Sequence, residues 1–200
     1  AEEELARRLP GWLADGIVPD EEVPLVSNDQ RPRHYGMTRW RDLFSPRQLL
    51  ALGTTVEVLR ELAAEIEREL PVDQARAVRT YLAFAVDKVA DRNSYMARWV
   101  PQRQVLANTF DRHDFAMKWS YGEMALVVAG KGLDWAIDQV VDAYKGIAKL
   151  AQPARLPLWD RDGESPVERL HVTQGDAADL STVATGSVHL VCIDPPYYDN

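Results

Sequence analysis

The chain has 200 residues, is 46% hydrophobic and 27% charged, and carries a formal net charge of -8. This composition is typical of an ordinary soluble protein, with room for one large domain or for a helical domain and part of another. Its acidity argues against a surface that wraps nucleic acid along the whole chain, because neutralising phosphates requires Lys and Arg, although a local basic face remains open.

The cysteine count and the lengths of the apolar runs exclude further classes of protein. The single cysteine, Cys192, cannot form an internal disulfide, and these residues cannot build a cysteine-rich zinc site. Because Cys192 lies in an apolar run, we expect it to be buried. No run reaches the roughly 18 apolar residues of a membrane span, and the N-terminal residues lack the pattern of a secretory signal. We therefore expect a cytoplasmic protein with no membrane contact.

The N-terminal third contains the clearest helix signal. Turn-forming residues and short apolar pieces up to about residue 36 predict a short leading helix and then an irregular or extended segment. Ser45, Pro46 and Gln48 then have the spacing of a capping box, with Ser at the N-cap and Pro at the first helical position. Apolar residues recur at helical spacing until Pro71, which predicts a helix over about 46–70.

The middle of the chain predicts further helices. Asp73 can cap a second helix over about 74–91, and an apolar stripe on each of the two helices predicts that they pack as an antiparallel hairpin. Residues 92–131 are rich in aromatic side chains without clean periodicity, which favours short helices and ordered loops. Another amphipathic stretch predicts a helix over about 133–151.

The pattern changes after a turn-rich connector at 152–166. Residues 168–180 have the pattern of a strand, a Gly-Asp turn and a short helical turn. The segment 187–197 begins with a continuous apolar run, typical of a strand that is covered on both faces of a parallel sheet. We therefore predict the α/β class, with a mainly helical accessory region over 1–155 and a partial strand-turn-strand domain over 156–200.

The predicted second strand ends in a motif with its own chemistry, Asp194-Pro195-Pro196-Tyr197. Ligands of open α/β sheets bind at the carboxyl ends of the strands, where two prolines fix the backbone and leave rigid carbonyl acceptors. Tyr197 adds a flat face for stacking. This set suits a planar ligand with an exocyclic NH2 group, such as adenine or cytosine, and hydrogen bonds to Asp194 and to the Pro195 carbonyl would favour attack by that nitrogen.

The motif resembles the (Asp/Asn/Ser)-Pro-Pro-aromatic signature of S-adenosylmethionine-dependent amino-methyltransferases, and residues 171–197 resemble the same superfamily. Residues 35–62 and the ending DPPYYDN are similar to a narrower group, the large adenine-specific DNA methylases that contain a zinc ribbon and are often encoded beside phage-defence systems. The resemblance implies a Rossmann-like methyltransferase sheet and methyl transfer from S-adenosylmethionine to adenine in DNA.

The same resemblance implies roles for particular residues. Asp194, Pro195, Pro196 and Tyr197 would be catalytic, and Gly175 with Asp176 would bind the cofactor near its adenine. DNA would be the macromolecular partner, within restriction-modification or phage defence, and defence-system proteins are possible partners.

Two features of the family are missing from these residues. The glycine-rich cofactor loop, of the form Asp-Pro-Phe-x-Gly-x-Gly, is absent, and so are the cysteines of the zinc ribbon. In the family both precede the helical region, so we expect this chain to be a piece of a longer enzyme that binds the cofactor poorly by itself.

Other candidate residues favour packing roles. The segment 39–48 mixes arginines with Trp40 and Phe44, which suits nucleic acid, but a helix start that docks aromatic side chains in the core is the better interpretation. The same holds for Lys118, Trp119 and Glu123. The four histidines show no ligand spacing, so no metal site is predicted: His34, His113, His171 and His189.

Two alternatives to DNA methylation remain open. One is methylation of RNA or of another amino group, since related motifs occur in such enzymes. The other is a non-catalytic helical interaction module in which the terminal motif is coincidental.

Overall fold

The computed structural model describes residues 1–24, 29–111, 114–150, 175–176 and 178–193. The chain divides into two compact units, Ala1–Val141 and Asp142–Asn200. The domain boundary predicted between residues 155 and 156 lies outside the described residues and stays a prediction.

The described residues form a mostly helical, mixed α/β structure with a small two-stranded antiparallel sheet. The α/β class is thereby confirmed in its coarse form, whereas this sheet is too small to define a Rossmann-like fold. In chain order the elements are α1 (Glu2–Ala14), α2 (Arg31–His34), a 3-10 turn (Trp40–Leu43), α3 (Pro46–Glu69), α4 (Val72–Ala90), β1 (Arg98–Val100), β2 (Val105–Ala107), a second 3-10 turn (Thr109–Asp111) and α5 (Gly132–Leu150).

The predicted capping box at the start of α3 is confirmed. The backbone N–H of Gln48 donates to Ser45 Oγ at 3.3 Å, and the backbone N–H of Ser45 donates to Gln48 Oε1 at 2.9 Å. Both side chains are buried, so the reciprocal bonds satisfy backbone donors that water cannot reach. The helix begins at Pro46 and ends at Glu69, close to the predicted limits.

Helices α3 and α4 form the predicted antiparallel hairpin. Arg79, near the start of α4, forms an ion pair with Glu67 near the end of α3. At the other end of the hairpin, Leu52 of α3 belongs to one apolar cluster with Ala85 and Val89 of α4. The contacts therefore connect opposite ends of the two sequences, as an antiparallel pair requires.

The predicted cap of α4 is wrong. The helix begins at Val72, so Pro71 occupies the N-cap position and Asp73 lies in the first turn, where it forms an ion pair with Arg76 at 3.0 Å. Pro71 leads into the helix with φ -55° and ψ 148°, and no side-chain cap bond is found among the described residues. A carboxylate in the first turn is still favourable because the helix dipole places positive charge at that end.

Phe44 connects the apolar core of the first unit. Its half-buried ring packs against each of the three buried clusters found among the described residues. These clusters are centred on Leu52, Val89 and Ala136; on Leu5, Trp12 and Leu49; and on Met37, Leu43 and Phe115. One aromatic side chain immediately before α3 therefore joins α1, the α3–α4 hairpin and the aromatic region.

The aromatic region contains two strands that were not predicted. Instead of short helices and loops alone, it contains the β1–β2 hairpin, in which Trp99 pairs with Leu106, and one 3-10 turn. Asn93 connects the end of α4 to the segment around Met124. Its Nδ2 donates to the Val89 carbonyl at 2.8 Å, and its Oδ1 accepts from the Met124 N–H at 2.9 Å. Because Asn93 is buried, these bonds meet its polar requirements inside the core.

The strand predicted over 187–197 is not formed in its described part. Residues 188–193 have no strand structure, and Leu190 and Ile193 are more than three-quarters exposed. Cys192 is also exposed, so its predicted burial is wrong. A strand is held by hydrogen bonds to a neighbouring strand, and the described residues of the second unit contain none. The strand predicted near residues 168–174 lies outside the described residues.

Gly53 provides a test of how α1 packs on α3. A Cβ added at Gly53 would lie 2.5 Å from the buried Trp12 ring, whereas a Cβ at Gly146 in α5 would meet nothing within 4 Å. We expect Gly53→Ala to destabilise the protein by about 1–3 kcal/mol through overpacking, despite the better helix propensity of Ala. Urea unfolding followed by circular dichroism measures the change. Gly146→Ala is the matched control and should be neutral or stabilising; equal effects at the two positions would contradict this packing.

Candidate functional site

Only part of the predicted methyltransferase site lies in the described residues. Asp194, Pro195, Pro196 and Tyr197 lie outside them, so their geometry and their placement relative to Asp176 are not described. The turn predicted at Gly175 and Asp176 is present: the Asp176 carboxylate accepts the Ala178 N–H at 2.9 Å, and its carbonyl accepts the Asp179 N–H at 3.0 Å. Both Gly175 and Asp176 are exposed.

The arginines of residues 39–48 form ion pairs within the protein. Arg39 lies 3.0 Å from Asp20, Arg41 also pairs with Asp20, and Arg47 Nε donates to Glu123 Oε1 at 2.6 Å. The hydrogen bond from Arg41 lowers the pKa of Asp20. Guanidinium groups that already contact carboxylates are less available to phosphates, so the structure favours the packing interpretation of this segment.

A second candidate segment is exposed where packing was expected. Trp119 is 83% exposed, so most of it lies outside the core although a packing role was predicted. Its ring meets Tyr35 edge to face, with centroids 6.1 Å apart, and Tyr35 also contacts Phe115. In contrast, the neighbouring Lys118 N–H donates to the Tyr95 carbonyl at 2.8 Å, which fixes the backbone beneath this exposed aromatic surface.

The described residues contain no cluster of His, Cys, Asp or Glu that could hold a metal ion. Of the four histidines, His34 and His189 are described, and His113 and His171 are not. None of the helices in the described ranges is both long and apolar enough to cross a membrane.

Sequence analysis did not predict an apolar groove that the structure contains. It has a volume of about 530 Å³ and lies between α3, α4 and the start of α5. The side chains that define it are Leu50, Val58, Leu62, Leu82, Leu133 and Ile137. The width of the α3 apolar stripe was a signal for it, because Val58 and Leu62 extend that stripe beyond the face that α1 and α4 cover.

Asp29 connects the segment before α2 to the aromatic region. Its carboxylate accepts from the Arg31 Nε at 2.7 Å and from the Phe115 backbone N–H at 2.9 Å, although Phe115 lies 86 residues further along the chain. The Arg31 side chain is the main cause of a pKa of Asp29 well below the usual range, and the Phe115 N–H acts in the same direction. This carboxylate therefore stabilises the long-range contact more strongly when it is ionised than when it is protonated.

Comparisons with known proteins identify no relative. No protein-family model matches the chain, and no match is found among curated proteins or among solved structures.

The Asp29 contact should make stability depend on pH in a defined direction. A carboxyl group whose pKa is lowered on folding stabilises the protein above its unfolded pKa of about 3.9, and that contribution is lost as the pH falls towards the folded pKa. We expect Asp29→Asn to reduce the free energy of unfolding by about 1 kcal/mol at neutral pH, since Arg31 is half exposed.

Urea unfolding at pH 7, 5, 4 and 3 tests this prediction. The difference between the wild type and Asp29→Asn should be constant at the two higher pH values and should shrink below about pH 4. Asp138→Asn, an exposed position on α5, is the control and should show no such trend. A difference for Asp29→Asn that stays constant down to pH 3 would contradict the role of the ionised carboxylate.

Proposed function

We propose that this chain carries the catalytic motif of an S-adenosylmethionine-dependent methyltransferase that acts on the exocyclic amino group of adenine in DNA. The observation that carries the proposal is the motif Asp194-Pro195-Pro196-Tyr197, which directly follows the apolar run of residues 188–193. An acidic, rigid and aromatic corner at the carboxyl end of an apolar segment is where an α/β enzyme places ligand-binding groups.

Asp194 and Pro195 would activate the amino group. The adenine nitrogen is a poor nucleophile because its lone pair is delocalised into the ring. Hydrogen bonds from the NH2 group to the Asp194 carboxylate and the Pro195 carbonyl would localise that lone pair. Methyl transfer would form the N–C bond as the C–S bond of S-adenosylmethionine breaks, and the Asp194 carboxylate would stabilise the positive charge on nitrogen until its proton departs.

Tyr197 and Pro196 would hold the base. An amino group inside a duplex is out of reach, so the base must leave the helical stack before it reacts. The Tyr197 ring can stack on the extruded base, and the two prolines keep the carbonyl acceptors in a fixed position. Stacking of a base on an aromatic side chain contributes about 1–3 kcal/mol, enough to offset part of the cost of unstacking.

One feature of Asp176 suits a role in holding S-adenosylmethionine. Its side chain is exposed at a tight turn that the Ala178 N–H bond fixes. When bound, S-adenosylmethionine would supply an electrophilic methyl group on a positively charged sulfur. Because the glycine-rich loop of the family is absent from these residues, Gly175 and Asp176 would provide only part of that site.

The proposed site requires a different environment for residues 188–193. In the structure, most of their side chains are exposed. A methyltransferase sheet would cover this run with strands on both sides and layers on both faces. The proposal therefore includes the expectation that the run becomes buried when such a sheet is complete.

The choice of adenine in DNA as the substrate, and the link to phage defence, have less support than methyl transfer itself. The motif chemistry suits any planar amine, so methylation of cytosine, RNA or another amino group remains the alternative. The resemblance of residues 35–62 to adenine-specific DNA methylases is what selects DNA and adenine, and with them possible defence-system partners. The unit Ala1–Val141 has its own core, which suits an accessory region of such an enzyme and equally a helical interaction module.

Methyl transfer by the full-length protein tests the proposal. We expect labelled S-adenosylmethionine to transfer its methyl group to duplex DNA, and Asp194→Ala to reduce the rate by about 100- to 1,000-fold because the developing charge loses its partner. Asp138→Ala removes the same group from an exposed position on α5 and should keep the wild-type rate. Label on RNA or protein instead of DNA would favour the alternative substrates. A fully active Asp194→Ala variant, or no transfer to any substrate, would contradict the proposal.

A further inference from the structure

The apolar groove of the first unit exposes side chains of α3 and α5. Val58 and Leu62 of α3 are 45% and 39% exposed, and Ile137 of α5 is 40% exposed. All three line the groove, and its wall continues with Leu82 of α4. Contiguous apolar surface of this kind marks an interaction site more often than scattered exposed residues do.

A row of carboxylates follows the groove along α3. Glu61, Glu65 and Glu69 are spaced four residues apart, and Glu65 and Glu69 lie seven residues after Val58 and Leu62. Residues four and seven positions apart share one face of a helix, so the row continues the stripe that lines the groove. We call the groove together with these three glutamates the acidic groove.

The carboxylates of this row have no cationic partners in the described part of the chain. The other two glutamates of α3 are paired: Glu57 with Arg8 and Glu67 with Arg79. Glu61, Glu65 and Glu69 form no ion pair among the described residues. Like charges four residues apart destabilise a helix by about 0.2–0.5 kcal/mol per pair, so the row costs stability that a cationic partner would restore.

The dimensions of the acidic groove fit a helix. The groove side of α3 runs from Arg47 to Leu62, and 15 helical steps span about 22 Å. The glutamate row extends this line by about two further turns. An amphipathic helix that lies in a groove uses apolar anchors at i, i+3, i+4 and i+7, and here its apolar stripe would end beside three carboxylates.

Charge distinguishes among the possible occupants. The glutamate row repels an anionic membrane surface and nucleic acid alike. A second copy of this face would bring two glutamate rows near each other on a chain whose net charge is already -8. A helix with Lys or Arg beyond its apolar stripe places opposite charge against the row.

We propose that the acidic groove binds a basic amphipathic helix of a partner protein. The apolar stripe of that helix fills the space between α3, α4 and α5, and its Lys or Arg residues pair with Glu61, Glu65 and Glu69. This interaction is separate from the proposed methyl transfer, because it uses residues of the first unit alone.

Fluorescence anisotropy with synthetic helices tests the proposal on the whole chain. The probe carries leucines on one stripe over about four turns, with two lysines continuing the stripe at each end, so that either direction of binding is covered. A second probe replaces the lysines with glutamates. The lysine probe should bind, the glutamate probe should bind at least about tenfold more weakly, and about 0.5 M NaCl should reduce the difference by screening.

Matched variants locate the binding site. Glu61→Gln combined with Glu65→Gln and Glu69→Gln should weaken binding of the lysine probe at least about tenfold. Glu2→Gln combined with Glu3→Gln and Glu21→Gln makes the same change in net charge at exposed positions elsewhere, and should leave binding unchanged. Val58→Gln adds a polar group at a half-exposed position of the groove, so the fold should persist while affinity falls.

Four results would overturn the proposal. These are equal affinity for the two probes, equal loss in the two triple variants, no binding at about 1 mM probe, and self-association of the chain that Val58→Gln abolishes. The last result, measured by analytical ultracentrifugation, would identify a second copy as the occupant.

Discussion

The start of α3 is the constraint on which the first unit depends. Ser45 and Gln48 exchange hydrogen bonds inside the core, and Phe44, one residue earlier, contacts all three apolar clusters. Among the described residues the buried Gln48 Nε2 has no hydrogen-bond partner, and an unsatisfied buried donor of this kind costs about 1–3 kcal/mol. That cost is tolerated because the cap fixes where α3 begins and therefore which of its faces meets α1, α4 and solvent. The position of the apolar groove also depends on where α3 begins.

Local signals predicted the helices well and the contacts between distant segments poorly. Each helix signal acts locally: the capping box at Ser45, the stop at Pro71 and the apolar residues of α5. The observed limits of α3 and α5 agree with the predicted ones to within a residue or two. The β1–β2 hairpin escaped notice because its strands have three residues each and Trp99 is exposed, so no apolar alternation marks them. The apolar run before Asp194 does predict a strand, but the described part of the run does not form one. A buried strand depends on neighbouring strands as well as on its own residues.

The two candidate sites differ in how they could be found. The methyltransferase motif is contiguous, so residue types alone indicate its chemistry, and Gly175 with Asp176 forms the expected turn. The acidic groove depends on how α3, α4 and α5 pack, and no segment of the sequence contains it. Its glutamates become informative only after Glu57 and Glu67 are seen to have partners. The structure therefore adds a proposed interaction surface to a chain for which the sequence alone predicts methyl transfer.

The identity of the methylated product tests the central claim most directly. Duplex DNA is incubated with the full-length protein and S-adenosylmethionine, digested to nucleosides and analysed by mass spectrometry. We expect N6-methyladenine, because the resemblance selects adenine and the proposed role of Asp194 to Tyr197 is to activate an exocyclic amine. A product methylated at a ring carbon would contradict the proposed chemistry, since carbon is not activated by hydrogen bonds to an amino group. The absence of any methylated nucleoside would contradict DNA methylation.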